Sequence, residues 1–296
     1  MWLVDFFFAL RPLVLVPAWS FFILGHGAAR AGAGGVPFPG ERFAVLSVLL
    51  CAVYLVNQVV DFESDRLNGK GLFLQRGVFT RRLYLGVAAG ALAVGIGWAF
   101  ARGESPLLLT AAAALGLAYS VPPVRLAARP GLDFLANATG YGALAFVLGA
   151  GEHALEGPGA SRVIACMLAV GTVFLHTTLL DLQGDRRTSK RTSGVALGPQ
   201  RTRAAAAFFG VGAAAAAALS QSGVLLAACA VVALLSVAAA LRPENVHNRT
   251  VCVGSTALFA LAASTYVPPF IACIALLAVL TRIYYRLRFT LGYPAL

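Results

Sequence analysis

Apolar residues run along the chain in blocks of roughly 15 to 20, separated by short polar stretches, which is the spacing of helices that cross a bilayer. The blocks lie near 10–28, 42–60, 83–101, 106–120, 133–150, 162–180, 202–219, 222–241, 251–266 and 269–285. Stretches such as FAVLSVLLCAVYLV at 43–56 are solidly apolar and lack the period-two alternation of a membrane barrel, so helices are expected throughout. Pro268 and Pro269 divide the last two blocks. Joined, these would reach about 50 Å at roughly 1.5 Å per residue, too long for one span of a ~30 Å hydrocarbon core. Ten segments are therefore favoured over nine.

Composition supports the same class. Of the 296 residues 59% are hydrophobic and only 12% charged, whereas a water-facing surface needs about 25%. The net charge of +11 would suggest nucleic acid as a partner in a soluble chain, but in a membrane protein the placement of the charges matters more. With the N-terminus in the cytoplasm, 19 of the 23 basic residues fall on the cytoplasmic side and only Arg30, Arg42, Arg102 and Arg162 fall outside. The expected partner is the lipid bilayer and not nucleic acid. The expected location is a bacterial inner membrane, crossed many times, with both termini inside. The opening MWLVDFFFALRP has Asp5 in place of a basic leader region, so the first segment is expected to be retained. Cys51, Cys166, Cys229, Cys252 and Cys273 are scattered through apolar segments and read as small core residues.

Candidate chemistry gathers at two helix ends. The second segment runs out through NQVVDFESDRLNGK, where Asn57, Asp61 and Asp65 at spacing four stack on one helical face. The sixth ends in DLQGDRRTSKRT, with Asp181 and Asp185 at the same spacing, followed by Arg186, Arg187, Lys190 and Arg191. Repelling carboxylates at a membrane helix end call for a cation, and hard oxygen ligands suit Mg²⁺ held jointly with substrate phosphates. Two such motifs on one membrane face, four segments apart, suggest two pseudo-repeated halves with a diphosphate between them. The plainer reading is a pair of solvated loops whose charges pair casually. The coincidence of both motifs with Asn57 and clustered bases speaks against it.

These residues resemble the UbiA superfamily of intramembrane prenyltransferases. The first motif is similar to its NxxxDxxxD signature, the second to its DxxGD or DxxxD signature with trailing Lys190, Arg191 and Thr192. AYSVPPVRLAARPGLDFLAN resembles its loop after the fourth helix through Tyr119, Ser120, Pro122, Pro123 and Arg125, and Arg11 with Pro12 resembles a common opening. The resemblance covers residues 11 to about 260. It implies an all-α polytopic domain, taken here as 1–296, with nine or ten helices around a central cavity; typical members have nine spans, so the segment at 269–285 departs from the family as a possible extra C-terminal helix. It also implies Mg²⁺-dependent transfer from a prenyl diphosphate donor to a hydrophobic acceptor. Metal ligation falls to Asn57, Asp61, Asp65, Asp181 and Asp185, the four aspartates being catalytic. Substrate contacts fall to Asn57, Lys70, Arg76, Tyr119, Arg125, Lys190 and Arg191. Here the loop LNGKGLFLQRG replaces the RTxxRP-like stretch of members that use aromatic acids, which bears on the acceptor more than on the donor.

Other readings use the same residues. A terpene cyclase of this superfamily would bind the same diphosphate and close the cation on its own double bonds. A transporter would place polar residues at the helix midplanes, which here are mostly bare. His176, just before Asp181, reads as a hydrogen-bonded intramembrane histidine before it reads as a base. Glu63 points off the aspartate face, and Gly69, Gly71 and Gly77 read as flexibility since no P-loop pattern surrounds them.

Overall fold

The computed structural model describes residues 1–33, 35–70, 72–242 and 244–293. The described residues are helical with no strand. Helices α1 (Trp2–Ala9), α2 (Val16–Ala33), α3 (Gly40–Val60), α4 (Phe62–Leu67), α5 (Leu72–Gln75), α6 (Arg81–Arg102) and α7 (Pro106–Ser120) form the first half. Then follow α8 (Leu132–Asn137), α9 (Ala145–Ala150), α10 (Gly159–Leu180), α11 (Leu182–Arg187), α12 (Ser193–Leu219), α13 (Gly223–Leu241), α14 (Asn245–Ser264) and α15 (Pro269–Phe289). Among the described residues eight helical stretches are long and apolar enough to cross a membrane, while α7 is shorter. The protein is a multi-pass integral membrane protein.

Local chemistry sets the boundaries. Thr80, Thr192 and Ser222 accept from the backbone N–H groups of Leu83, Val195 and Leu225, capping α6, α12 and α13. Gly103 closes α6 with φ at 69°, and Pro106 opens α7 where its missing N–H costs nothing. The predicted blocks at 106–120 and 222–241 coincide with helices to within a residue. The block at 133–150 is one helical run in three pieces, because a π-helical stretch at Ala138–Leu144 separates α8 from α9.

Small residues let the helices approach closely in a setting where lipid removes most of the hydrophobic incentive to associate. A Cβ at Gly25 would stand 2.0 Å from the Phe146 carbonyl oxygen, and one at Gly149 would stand 1.8 Å from that of Phe22, so α2 and α9 cross backbone to backbone. Helix α10 packs on α12 and α14, α12 on α13, α13 on α14, α14 on α2, and α3 on α6 and α7. Helices α2, α3, α7, α10 and α14, with the run around the π-helix, surround a cavity of about 340 Å³. At the end opposite the aspartate motifs, Arg42 meets Glu104 at 3.2 Å and Arg102 meets Glu41 at 3.1 Å. Two of the four basic residues predicted outside are thus neutralised.

Candidate active site

Both aspartate motifs break the helix that carries them. Asp61 (φ −90°, ψ 17°) ends α3 and starts α4, and Asp181 (φ −95°, ψ 0°) ends α10 and starts α11. The block predicted at 42–60 ends as expected, and the spacing-four run of Asn57, Asp61 and Asp65 is carried by a helix, a bend and one further turn. Helical spacing survives the bend, since Asp65 N–H donates to the Asp61 carbonyl at 2.8 Å and Asp185 N–H to that of Asp181 at 3.1 Å. The chain then turns back in the same way twice. Lys70 N–H donates to the Asp65 carbonyl at 2.7 Å and Lys190 N–H to that of Asp185 at 2.9 Å, through Gly69 (φ 68°) and Ser189 (φ 56°). Each matched pair is 120 residues apart: 61 and 181, 65 and 185, 70 and 190.

The two turns exchange charges. Lys70 Nζ donates to Asp181 Oδ1, and Lys190 Nζ donates to Asp61 Oδ2 at 2.8 Å. Each lysine thus serves the aspartate of the other motif. Arg125 Nη2 adds a 3.1 Å bond to Asp61 Oδ1, and Asn57 Nδ2 bridges Asp61 Oδ2 at 3.2 Å and Ser120 Oγ at 3.1 Å. Asn68 fastens one turn to the other, donating to the Asp181 carbonyl at 3.3 Å and accepting from Gly184 N–H at 3.0 Å. Residue 184 has to be glycine for this, because a Cβ there would lie 2.5 Å from the Asn68 amide.

Burial raises the pKa of the Asp65 carboxyl, with Asp61 and Asp181 adding to the rise against Arg11 and Lys70. Burial likewise pushes Asp185 up to about 6, helped by Asp181 and Asp61 and opposed by Lys190 and Lys70. Burial works against the Lys190 ammonium, yet Asp61, Asp185 and Asp65 outweigh it and hold its pKa above the usual lysine value. Asp65 Oδ2 is buried and has no hydrogen-bond partner among the described residues; the nearest cation is Arg11 Nη1 at 3.9 Å. An orphaned carboxylate oxygen beside two crowded aspartates fits a divalent cation. Among the described residues no three His, Cys, Asp or Glu side chains converge tightly enough to cage a metal alone.

Of the residues singled out from the sequence, Asn57, Asp61, Asp65, Lys70, Tyr119, Asp181, Asp185 and Lys190 line the cavity, and Arg125 reaches Asp61 from beside it. Arg76 and Arg191 do not line it. Arg76 is exposed and lies over the Phe289 ring at 4.9 Å, and Arg191 is exposed, as are Arg186 and Arg187. Helix α11 ends at Arg187 and the left-handed turn at Ser189 brings Lys190 alone inward. Glu63 pairs with Arg66 in solvent at 3.1 Å. His176 is fully buried outside the cavity lining, bonded to Asn248 at 3.0 Å and Ser236 at 2.8 Å, which is the structural role expected of it. Arg11, Asn68, Tyr54 and Tyr141 line the cavity without having been selected as site residues. The Tyr54 and Tyr141 hydroxyls bond to one another across it, one helical turn from Asn57. Beyond them the lining is mainly apolar, through Phe21, Leu46, Leu50, Val53 and Leu115, with Ser255 and Thr256 of α14 as hydroxyl-bearing members.

Fold and site together define a membrane enzyme with a charged mouth at one end of an apolar, helix-lined chamber. Residues 14–248 match the UbiA prenyltransferase family, and the chain belongs to it. A digeranylgeranylglyceryl phosphate synthase of Halobacterium salinarum is 31% identical over 205 residues, which cover 68% of this chain and 72% of that protein. Among solved structures, a UbiA homologue from Archaeoglobus fulgidus bound to GPP and Mg²⁺ superposes with a TM-score of 0.68 at 18% identity, covering 89% of this chain and 99% of that one. The apo UbiA homologue from Aeropyrum pernix K1 gives 0.65 at 17% identity over 87% and 99%. The enzyme is a prenyltransferase of the membrane.

Proposed function

We propose that the enzyme transfers an isoprenyl group from a prenyl diphosphate to a lipophilic acceptor dissolved in the bilayer, releasing diphosphate. The observation that carries this reading is the reciprocal lysine–aspartate exchange at the mouth of the apolar cavity. It places four carboxylates and the cations Arg11, Lys70, Arg125 and Lys190 around one space. Protein charges alone nearly cancel there, so a multiply charged diphosphate needs divalent metal to bind. Mg²⁺, when bound, supplies the Lewis acidity that neutralises the leaving diphosphate. Asp61, Asp65, Asp181 and Asp185 would hold it, with Asn57 steadying Asp61. The lysines and arginines bind the phosphoryl oxygens. As the allylic C–O bond loosens, the tail lies in the apolar chamber, which keeps water from the cation, and Tyr54, Tyr119 and Tyr141 present polarisable rings near it. The ligands named for the Archaeoglobus homologue and the name of the Halobacterium relative support donor and isoprenoid lipid chemistry alike.

The test is product formation. Purified enzyme with radiolabelled geranyl diphosphate or its longer homologues and a membrane lipid extract should move label into a lipid with Mg²⁺ present. A strong chelator should stop this. Undiminished turnover in excess chelator would remove the metal from the reading, and a cyclic hydrocarbon formed without lipid extract would turn it toward cyclisation.

Both aspartate motifs are proposed to face the cytoplasm, and the two termini with them, because the basic residues concentrate at that end. Reporter fusions at Met1 and Leu296 should therefore both report cytoplasm. Opposite sides would mean an odd number of crossings.

A further inference from the structure

The two matched turns are supported differently. Lys190 is followed two residues later by Thr192, which caps α12, so its position is set locally. Between Lys70 and the start of α6 at Arg81 lies a longer loop containing α5. That loop is held partly by its own contacts and partly from elsewhere. The Gln75 side-chain amide donates to the Lys70 carbonyl, and Phe73, 2% exposed, turns into an aromatic cluster built largely by the chain ends. Phe289 meets Phe73 at 5.3 Å between ring centroids, Tyr285 meets it at 6.0 Å, and Arg76 lies over the Phe289 ring at 4.9 Å. Helix α15 is anchored in turn to α1. Tyr284 stacks on Phe8 at 4.0 Å and donates to Asp5, which also receives Arg288 Nε at 3.2 Å.

Helix α15 lies wholly beyond the residues that match the family. Its inner end nevertheless connects through Phe289, Phe73 and Gln75 to Lys70, and through Lys70 Nζ to Asp181. We infer that α15, latched to α1 by Asp5, acts as a strut that positions Lys70, so that Phe289 is a positioning residue for the diphosphate end of the donor. This inference rests on the proposed donor site. The asymmetry between the loops gives it a signature: weakening the strut should act through Lys70 and leave the Lys190 half untouched.

The probe is Mg²⁺ with inorganic diphosphate, titrated calorimetrically into the full-length protein in detergent, so that the identity of the prenyl tail does not enter. Wild type should bind; if it does not, the donor site itself is wrong. Phe289→Ala should then bind about five- to tenfold more weakly, in line with the loss of a few ring contacts, and Phe289→Tyr should restore most of the affinity. In a double-mutant cycle Phe289→Ala should add little to Lys70→Ala, yet add its full effect to Lys190→Ala. Arg288→Lys, keeping the charge at Asp5, should lie near wild type. If wild type binds and Phe289→Ala binds equally well, or if its effect adds fully to that of Lys70→Ala, the strut is overturned. A lower melting temperature with unchanged affinity would overturn it too, leaving α15 a purely structural helix.

Discussion

Asp61→Ala and Asp185→Ala are each expected to abolish measurable turnover, a loss of about 10³-fold or more, while leaving a folded protein in detergent. Removing one preorganised electrostatic group commonly costs ~10²–10³ in rate, and here the lost carboxylate would also be a metal ligand. The folded state should tolerate the change because the motifs lie at a polar helix end, where Asp61 meets Lys190, Arg125 and Asn57 and not the apolar core. Asp61→Asn sharpens the comparison, since it keeps the shape and removes only the charge. Glu63→Ala is the matched control. Glu63 is exposed, faces Arg66 and should keep most of its activity when replaced. Turnover measured alongside a thermal melt separates the outcomes, and a Glu63→Ala variant as impaired as Asp61→Ala would dissolve the geometric distinction between them.

Replacing the exchanged lysines should produce the second large effect, on donor affinity. Charge-assisted hydrogen bonds to phosphate contribute about 1.5–3 kcal/mol, so Lys70→Ala and Lys190→Ala should each raise the KM for the prenyl diphosphate about 10- to 100-fold. Lys190→Ala should be the more severe. The Lys190–Asp61 pair is 11% and 7% exposed at its two side chains, against 33% and 25% for Lys70–Asp181, and a buried charge stripped of its partner is costlier. Product pattern should stay the same in both, because neither lysine lies along the apolar chamber. Arg191→Ala, altering an exposed side chain, should leave donor KM near wild type. Initial-rate kinetics at saturating acceptor lipid decide this, and a changed product with an unchanged donor KM would move these lysines to the acceptor side.

Much of this site was legible because bilayer chemistry makes its features rare. A carboxylate next to twenty apolar residues stands out, and two such places with equal spacing stand out more. Segments bounded by strong punctuation were equally legible, as where Pro106 begins α7. Hidden features were those decided by backbone direction within a polar stretch. From RRTSKRT alone any of four cations could have faced the diphosphate; the left-handed residue at Ser189 selects Lys190. Arg76 was drawn out of the site by α5, whose burial of Phe73 directs the arginine onto Phe289. Asn68 was overlooked although it occupies the place that Thr188 holds in the second motif, and a residue-by-residue alignment of the two motifs would have raised it. Arg11 was visible only as part of an opening resemblance. Its role follows from a backbone at φ 55° beside Pro12, which brings it to within 3.9 Å of Asp65. Helix α1 was missed because the apolar stretch at Trp2–Ala9 is only eight residues long and is interrupted by Asp5, so the first block was begun after it.

The central claim is that metal and diphosphate meet between the two aspartate turns. The most direct measurement is a structure of the protein with Mn²⁺ in place of Mg²⁺ and a non-hydrolysable prenyl thiodiphosphate, with the metal located by its anomalous scattering. The account predicts manganese between the Asp61–Asp65 and Asp181–Asp185 turns, with Lys70 and Lys190 moved from the aspartates onto the diphosphate and the tail in the chamber past Tyr54 and Tyr141. Manganese bound away from those four carboxylates, or a diphosphate held with both lysine–aspartate pairs still intact, would contradict it.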